Sequence, residues 1–165
     1  MMSTETQILE IDNFISKEQS NYFINYLENN FNLEDKKCFK HRETKAINCI
    51  NIKDDIEILE LGLKLKNLPQ KINKKYAINY FEIVKWPTEE YQDEHVDFDY
   101  HPYTSILYLN DDYTGGETIV GGKKIIPKKC KLIAFEGSKI PHKVNQIIEG
   151  TRYTIPCWYK YDNNT

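Results

Sequence analysis

The sequence predicts a mainly β fold with some α: a helical N-terminal layer over residues 1–75, packed on a β-rich core over residues 76–161 that forms a sandwich or barrel. Three observations carry that expectation. The first third shows helical spacing behind capping signals. From Tyr76 onward, short apolar runs alternate with Gly-rich turns. The chain has 165 residues, 40% of them apolar and 13% aromatic, which is enough to bury a core and excludes an intrinsically disordered chain. We read residues 1–165 as one domain, with no internal repeat and no low-complexity linker.

Taken in order, Ile8, Leu9 and Ile11 form a short strand ahead of Asn13. Ser16 and Gln19 have capping-box spacing: the Ser hydroxyl can accept from the third helical N–H, and the Gln side chain can reach back. Behind them Tyr22, Phe23, Tyr26 and Leu27 share a helical face, so the first helix runs to about Asn29. Asp54 or Asp55 can cap a second helix ending at Leu68, with Pro69 as its stop. Leu59, Leu61, Leu63 and Leu65 in that stretch also alternate as a strand would. Seven strands follow, at residues 76–85, 104–110, 117–120, 123–126, 130–135, 143–148 and 152–161. Gly115, Gly116, Gly121, Gly122, Gly137 and Gly150 punctuate them.

Charge and cysteine content narrow the function classes. Twenty-two basic residues against twenty-five acidic give a net charge of −3. That balance offers no electrostatic support for a nucleic-acid binder. Only two of the basic residues are Arg, Arg42 and Arg152. No stretch has the roughly eighteen apolar residues of a membrane helix. Residues 1–10 lack the basic and apolar regions of a signal peptide, so the expected setting is the cytoplasm. Four cysteines, Cys38, Cys49, Cys130 and Cys157, are widely spaced with no CxxC. Cys130 and Cys157 sit in apolar runs and are expected to be buried thiols.

The chemistry-bearing feature is the strip His95, Asp97, Asp99, His101. On a strand all four side chains would share one face. An isolated His-x-Asp is weak, and a solvated edge strand explains most of them. Here a distant histidine, His142, follows the apolar run 130–135. Two His and one carboxylate can take one face of an octahedral metal, leaving three positions open, which is the arrangement that non-haem Fe(II) oxygenases need. Asp99 and His101 compete for the ligand role with His95 and Asp97. Asp99 can instead orient a ligand imidazole. Arg152 lies ten residues beyond His142. If the two lie on successive strands, the turn at Glu149 and Gly150 brings both into one cavity. An Arg inside a barrel needs a counter-charge, which a dicarboxylate can supply through a bidentate fork.

Taken in order, these segments resemble the 2-oxoglutarate and Fe(II)-dependent dioxygenases, in their prolyl 4-hydroxylase-like branch. The match runs from about Tyr76 to Tyr159. It comprises Ile83-Val84-Lys85-Trp86-Pro87, the His95/Asp97 pair, Tyr108-Leu109-Asn110, Gly115-Gly116-Glu117-Thr118, the run from Ile126 to Phe135, Pro141-His142, Gly150-Thr151-Arg152-Tyr153 and Trp158-Tyr159. The resemblance implies a double-stranded β-helix, a jelly-roll of cupin-like barrel type, backed by the N-terminal helices. It implies His95, Asp97 and His142 as Fe(II) ligands. Arg152 and Tyr108 would bind the 5-carboxylate of 2-oxoglutarate, and Thr118 and Trp158 would line the pocket. The implied reaction hydroxylates an aliphatic C–H of a peptide or protein and releases succinate and CO2, with ascorbate as a reductant. The same chemistry on a small molecule, free amino acid or nucleobase is the alternative, as is a non-catalytic jelly-roll binding module.

The chain departs from the family pattern in two turns. The family has Gly in the turn where this chain has Thr88-Glu89-Glu90, and Gly before the strand where this chain has Cys130. Lys123, Lys124, Lys128, Lys129 and Lys131 form a basic run read as a solvated face. His41 and Arg42 read as surface loop residues. Tyr91, Tyr100, Tyr103 and Tyr113 flank the expected entrance, where they can grip a peptide.

Overall fold

In the computed structural model, residues 7–30, 35–36 and 44–163 are described. Cys38, His41 and Arg42 lie outside them. The chain opens with strand β1 (Leu9–Ile11) and helix α1 (Lys17–Asn29). The capping box forms as the sequence requires: the Gln19 N–H donates to Ser16 Oγ at 3.1 Å, and the Ser16 N–H donates to Gln19 Oε1 at 3.0 Å. Two short strands follow, β2 (Asp35–Lys36) and β3 (Lys45–Asn48), then helix α2 (Ile56–Asn67) capped by Asp55. Pro69 does not end the helical path. It sits in the first turn of a 3-10 segment, Leu68–Ile72, where a missing N–H is tolerated.

The β-rich part comprises β4 (Tyr76–Trp86), β5 (Gln92–His95), β6 (Tyr103–Tyr108), β7 (Thr114–Gly115), β8 (Thr118–Val120), β9 (Lys123–Ile125), β10 (Leu132–Phe135), β11 (His142–Val144), β12 (Ile147–Glu149) and β13 (Arg152–Tyr161). Seven strands form the major sheet in the order β1-β10-β6-β13-β4-β3-β2, and four form the minor sheet, β5-β11-β8-β9. This is the expected double-stranded β-helix, although the two sheets stay separate rather than closing into a continuous barrel.

Strand alternation sorts the major sheet into two faces. Phe81, Ile83, Leu107, Ile155 and Tyr159 point to the helices, where they join Phe23, Leu27, Ile58, Leu61 and Leu65 in one buried cluster. Thr154, Pro156 and Trp158 of β13, with Val84 and Trp86 of β4, point the other way and line a cavity toward the minor sheet.

Two strand expectations are corrected. The strip from His95 to His101 is not a strand. β5 ends at His95, the Asp97 N–H donates to the Gly137 carbonyl at 2.9 Å, and the chain turns so that the His101 N–H reaches Phe98 O at 2.8 Å. The run 143–148 is two strands, because after Val144 the backbone leaves β8 and pairs with β7 instead. The alternating leucines of residues 59–65 lie on the expected second helix, α2, and not on a strand. The strands β2, β3, β5 and β7 carry no apolar run that would announce them.

Glu89 and Cys130 both adopt left-handed backbone, at φ 79° and 71°. Both occupy turns where the resembling family carries Gly, so this chain places a Cβ where the turn disfavours one. Glu89 is solvent-exposed. Glu89→Gly is therefore expected to stabilise the protein by about 0.5–1 kcal/mol, the relieved strain exceeding the entropy cost of Gly. Equilibrium urea unfolding measures it, and an unchanged or lower midpoint would contradict the strain.

Candidate metal centre and anion pocket

Local geometry explains why one strand end presents two ligand types. His95 closes β5 and Asp97 follows two residues later, on the same side of the chain. His142 opens β11, which pairs antiparallel with β5 so that His142 stands directly opposite His95. The distant histidine thus arrives from the neighbouring strand. The ring centroids lie 4.3 Å apart. Nδ1 of His95 lies 2.8 Å from the Asp93 carbonyl, and Nδ1 of His142 lies 2.8 Å from the Ile140 carbonyl. A carbonyl only accepts, so each Nδ1 carries the proton and each Nε2 keeps a free lone pair. Those Nε2 atoms lie 3.7 Å and 3.4 Å from Asp97 Oδ1. The three ligand atoms fall within 4.8 Å of one another and can hold a metal ion.

The other carboxylate oxygen is fixed from behind. Thr104 Oγ1 donates to Asp97 Oδ2 at 2.6 Å. Gly137 makes the close approach possible: a Cβ there would sit 2.3 Å from Asp97 Oδ2 and 2.4 Å from Thr104 Oγ1. Burial pushes the Asp97 carboxyl upward. The adjoining His142 imidazole, the Thr104 hydroxyl and His95 outweigh it and hold the group below the ordinary carboxylate range. Thr104 and Gly137 are absent from the residues the sequence singled out for the site. The sequence marked Gly137 only as a turn glycine, and Thr104 only as the first residue of the strand 104–110.

Arg152 occupies the far end of the same cavity and is 1% exposed. Its guanidinium carbon lies 5.2 Å from the Trp86 ring centroid and 5.7 Å from that of Tyr108. These π faces stabilise the cation partly. Nη2 donates to Thr118 Oγ1 at 3.0 Å, and Thr118 shares a 2.6 Å hydrogen bond with the Tyr108 hydroxyl. Among the described residues no carboxylate pairs with Arg152, and its buried Nε has no hydrogen-bond partner. Neither has the buried hydroxyl of Tyr113, whose ionisation burial pushes up to about 12. A buried cation with unused donors, beside hydroxyls that can turn to it, is an arrangement awaiting an anion.

All seven residues that the sequence singled out for the site line this cavity or, in the case of Tyr108, contact its Arg152 end. Trp158 lies on the cavity wall, stacked 4.6 Å from Tyr80. The competing pair, Asp99 and His101, lies outside the His95, Asp97 and His142 cluster. The buried His101 ring accepts from Asn79 Nδ2 through Nε2 at 2.8 Å and packs against Tyr80 and Tyr100, away from Asp97 Oδ1. Asp99 is exposed and makes no contact with the cluster. Of the flanking tyrosines, Tyr91 and Tyr100 are exposed, Tyr103 is buried among the core residues, and Tyr113 sits at Arg152. The basic run is a solvated face, as expected. Lys123 and Lys131 pair with Glu10, Lys128 pairs with Asp12, and Lys124 pairs with Glu117.

Residues 80–160 match the 2OG-Fe(II) oxygenase superfamily. Human prolyl 3-hydroxylase 2 is 33% identical over 73 residues, covering 39% of this chain and 10% of that protein. The chain thus matches about a tenth of the length of that curated relative. The crystal structure of a Pseudomonas putida prolyl-4-hydroxylase superposes with a TM-score of 0.83 at 14% identity, covering 96% of this chain and 95% of that one. A Trichoplax adhaerens prolyl hydroxylase, solved with a hypoxia inducible factor peptide fragment, gives 0.78 at 19% identity, covering 94% and 84%. These similarities establish the shared fold.

Proposed function

We propose that this protein, whose residues 80–160 match the 2OG-Fe(II) oxygenase superfamily, is such an oxygenase and hydroxylates a prolyl residue of a peptide or protein substrate. One observation carries the reading: a His-Asp-His cluster faces a buried arginine, which has no carboxylate partner among the described residues, across a cavity of about 130 Å³. The donor set suits Fe(II), with two imidazole nitrogens and one carboxylate oxygen on one side and the other side open. When bound, Fe(II) and 2-oxoglutarate supply the oxidising chemistry with dioxygen, releasing succinate and CO2 as one oxygen atom enters a substrate C–H bond.

The chain's own residues do the rest. His95 Nε2, His142 Nε2 and Asp97 Oδ1 would hold the metal, and the backbone carbonyls of Asp93 and Ile140 keep both imidazoles in the ligating tautomer. Arg152 would take the 5-carboxylate of 2-oxoglutarate, with Tyr108 and Thr118 donating beside it. Val84, Ile106, Pro156 and Trp158 wall the cavity and exclude water from it. We extend the proposal to ascorbate as the reductant that rescues uncoupled cycles. The assay is succinate release with Fe(II) and 2-oxoglutarate, with mass spectrometry of proline-containing peptides for the gain of one oxygen atom. Succinate formation without peptide oxidation, but with oxidation of a small molecule, would redirect the substrate. No binding of 2-oxoglutarate at all would overturn the reading.

The support behind Asp97 gives a further expected result. Thr104→Val keeps the shape and removes the hydroxyl that fixes Oδ2. Metal affinity should fall by about 10–100-fold, the usual effect of losing a partner that orients a ligand. Titration with Fe(II) or a redox-inert divalent ion under anaerobic conditions measures it. Unchanged affinity would show that Asp97 needs no such support.

A further inference from the structure

On the helix side of the major sheet, away from the metal centre, a second cavity of about 740 Å³ opens between α2 and the first half of β4. Its floor is apolar, with Ile50, Ile52, Ile78 and Phe81, and its rim carries Lys53, Lys66, Lys74 and Lys75 against a single carboxylate, Asp162. The α2 helix explains the ambiguous alternation of leucines in the sequence. Ile58, Leu61 and Leu65 are buried against the core. Ile56, Leu59 and Leu63 face outward and are 66%, 38% and 60% exposed. A helix apolar on two faces is expected to be covered on both. Gly62, a poor helix former, sits mid-helix between these faces. A Cβ there would meet the Phe81 ring at an ordinary 3.7 Å, so core packing does not demand the glycine. Its effect is to keep the cavity wall open.

We propose that this groove docks an acidic amphipathic helix of a partner protein. Ile56, Leu59 and Leu63 fall at i, i+3 and i+7, a stripe about 10 Å long that matches the anchor spacing of helix-in-groove recognition. Ile56 lies outside the cavity lining, and it and Leu63 are both mostly exposed. A small ligand seated in the cavity would leave Ile56 wet, whereas a helix laid along α2 covers both. The charge argument is independent. On the β9 hairpin the lysines meet Glu10, Asp12 and Glu117. Among the described residues no ion pair engages Lys66, Lys74 or Lys75. Glu60 is exposed within the stripe itself, so the basic rim of Lys66, Lys74 and Lys75 is complementary to acidic residues on the cavity-side flank of a docked helix.

The test uses a fluorescent helical peptide of about eighteen residues, with Leu on one stripe and Glu elsewhere. A scrambled peptide and a Glu-to-Lys version serve as controls. Fluorescence polarisation with the full chain should show the acidic peptide binding at least about tenfold more tightly than either control. Ile56→Gln with Leu63→Gln should weaken it by about tenfold or more, and Lys66→Glu with Lys74→Glu should invert the preference toward the lysine peptide. All four positions are on the surface helix or rim, so circular dichroism and succinate release should stay at wild-type levels. Equal binding of the scrambled peptide, or variants that bind as wild type, would overturn the proposal. So would binding to phosphatidylglycerol vesicles with none to the peptide, which would make the groove a lipid site. These readouts do not depend on the metal centre, so failure here leaves the proposed hydroxylase function standing.

Discussion

Asp97→Asn is expected to abolish succinate formation and to weaken Fe(II) binding by more than about 100-fold, while the protein stays folded. The expectation follows from what each Asp97 oxygen does. Oδ2 accepts from Thr104, and an Asn side chain can keep that contact with its carbonyl oxygen. Oδ1 faces both imidazole Nε2 atoms, and there the substitution places an uncharged amide whose nitrogen is no ligand. Loss of a ligand exceeds the 10–100-fold typical of losing an outer partner. His142→Ala should match it in activity and also lower stability, since His142 is buried against the Phe135 ring at 4.9 Å. His95 is more exposed, so His95→Ala should lose activity with little change in unfolding midpoint. Metal titration, succinate release and thermal unfolding separate the three. Retained turnover in Asp97→Asn would remove the cluster from the chemistry.

The second large effect is at Arg152. Arg152→Ala should raise the 2-oxoglutarate KM by about 100-fold or more, as expected when one partner of a buried, hydrogen-bonded charge pair is truncated. Arg152→Lys should retain part of the affinity, because an ammonium supplies the charge without the planar fork. Arg152→Met separates binding from folding. Arg152 makes no ion pair among the described residues, so a side chain of similar volume should leave the unliganded protein about as stable as wild type. The added stability on saturating wild type with 2-oxoglutarate should vanish in that variant. Equal KM for the wild type and the Ala variant would remove Arg152 from the site, and a thermal shift by 2-oxoglutarate in the Met variant would do the same.

How much was legible in the sequence depended on the range of the interaction. The capping box at Ser16 and Gln19 and the Asp55 cap involve neighbours three residues apart, and they form as read. The strand at residues 152–161 was read at its observed bounds, since a run rich in β-branched and aromatic residues follows the turn at Gly150. By contrast, β5 carries Gln92, Asp93 and Glu94. It is a strand only because β11 supplies its hydrogen bonds, so no local pattern announces it. The strip beyond His95 looked like a continuing strand because its alternation persists, but a turn at Phe98–His101 ahead of Pro102 breaks it.

The sequence by itself determined the ligand chemistry: His95 and Asp97 two residues apart, a later His142, and Arg152 ten residues on, at the start of a strand. Side chains two apart on extended backbone must emerge on one side, so half of the cluster is local geometry. The fold supplies what spacing leaves open, the strand register that brings the second histidine to the pair. His142 stands opposite His95 because β11 pairs with β5 in that register, while His101 is drawn away to Asn79. Only the packing of two sheets could place Gly137 against Asp97, or bury Arg152 between Trp86 and Tyr108 with no counter-charge among the described residues. Those relations join residues tens of positions apart. They arise from strand register and from the burial of both sheet faces, and no local pattern of residue types encodes either.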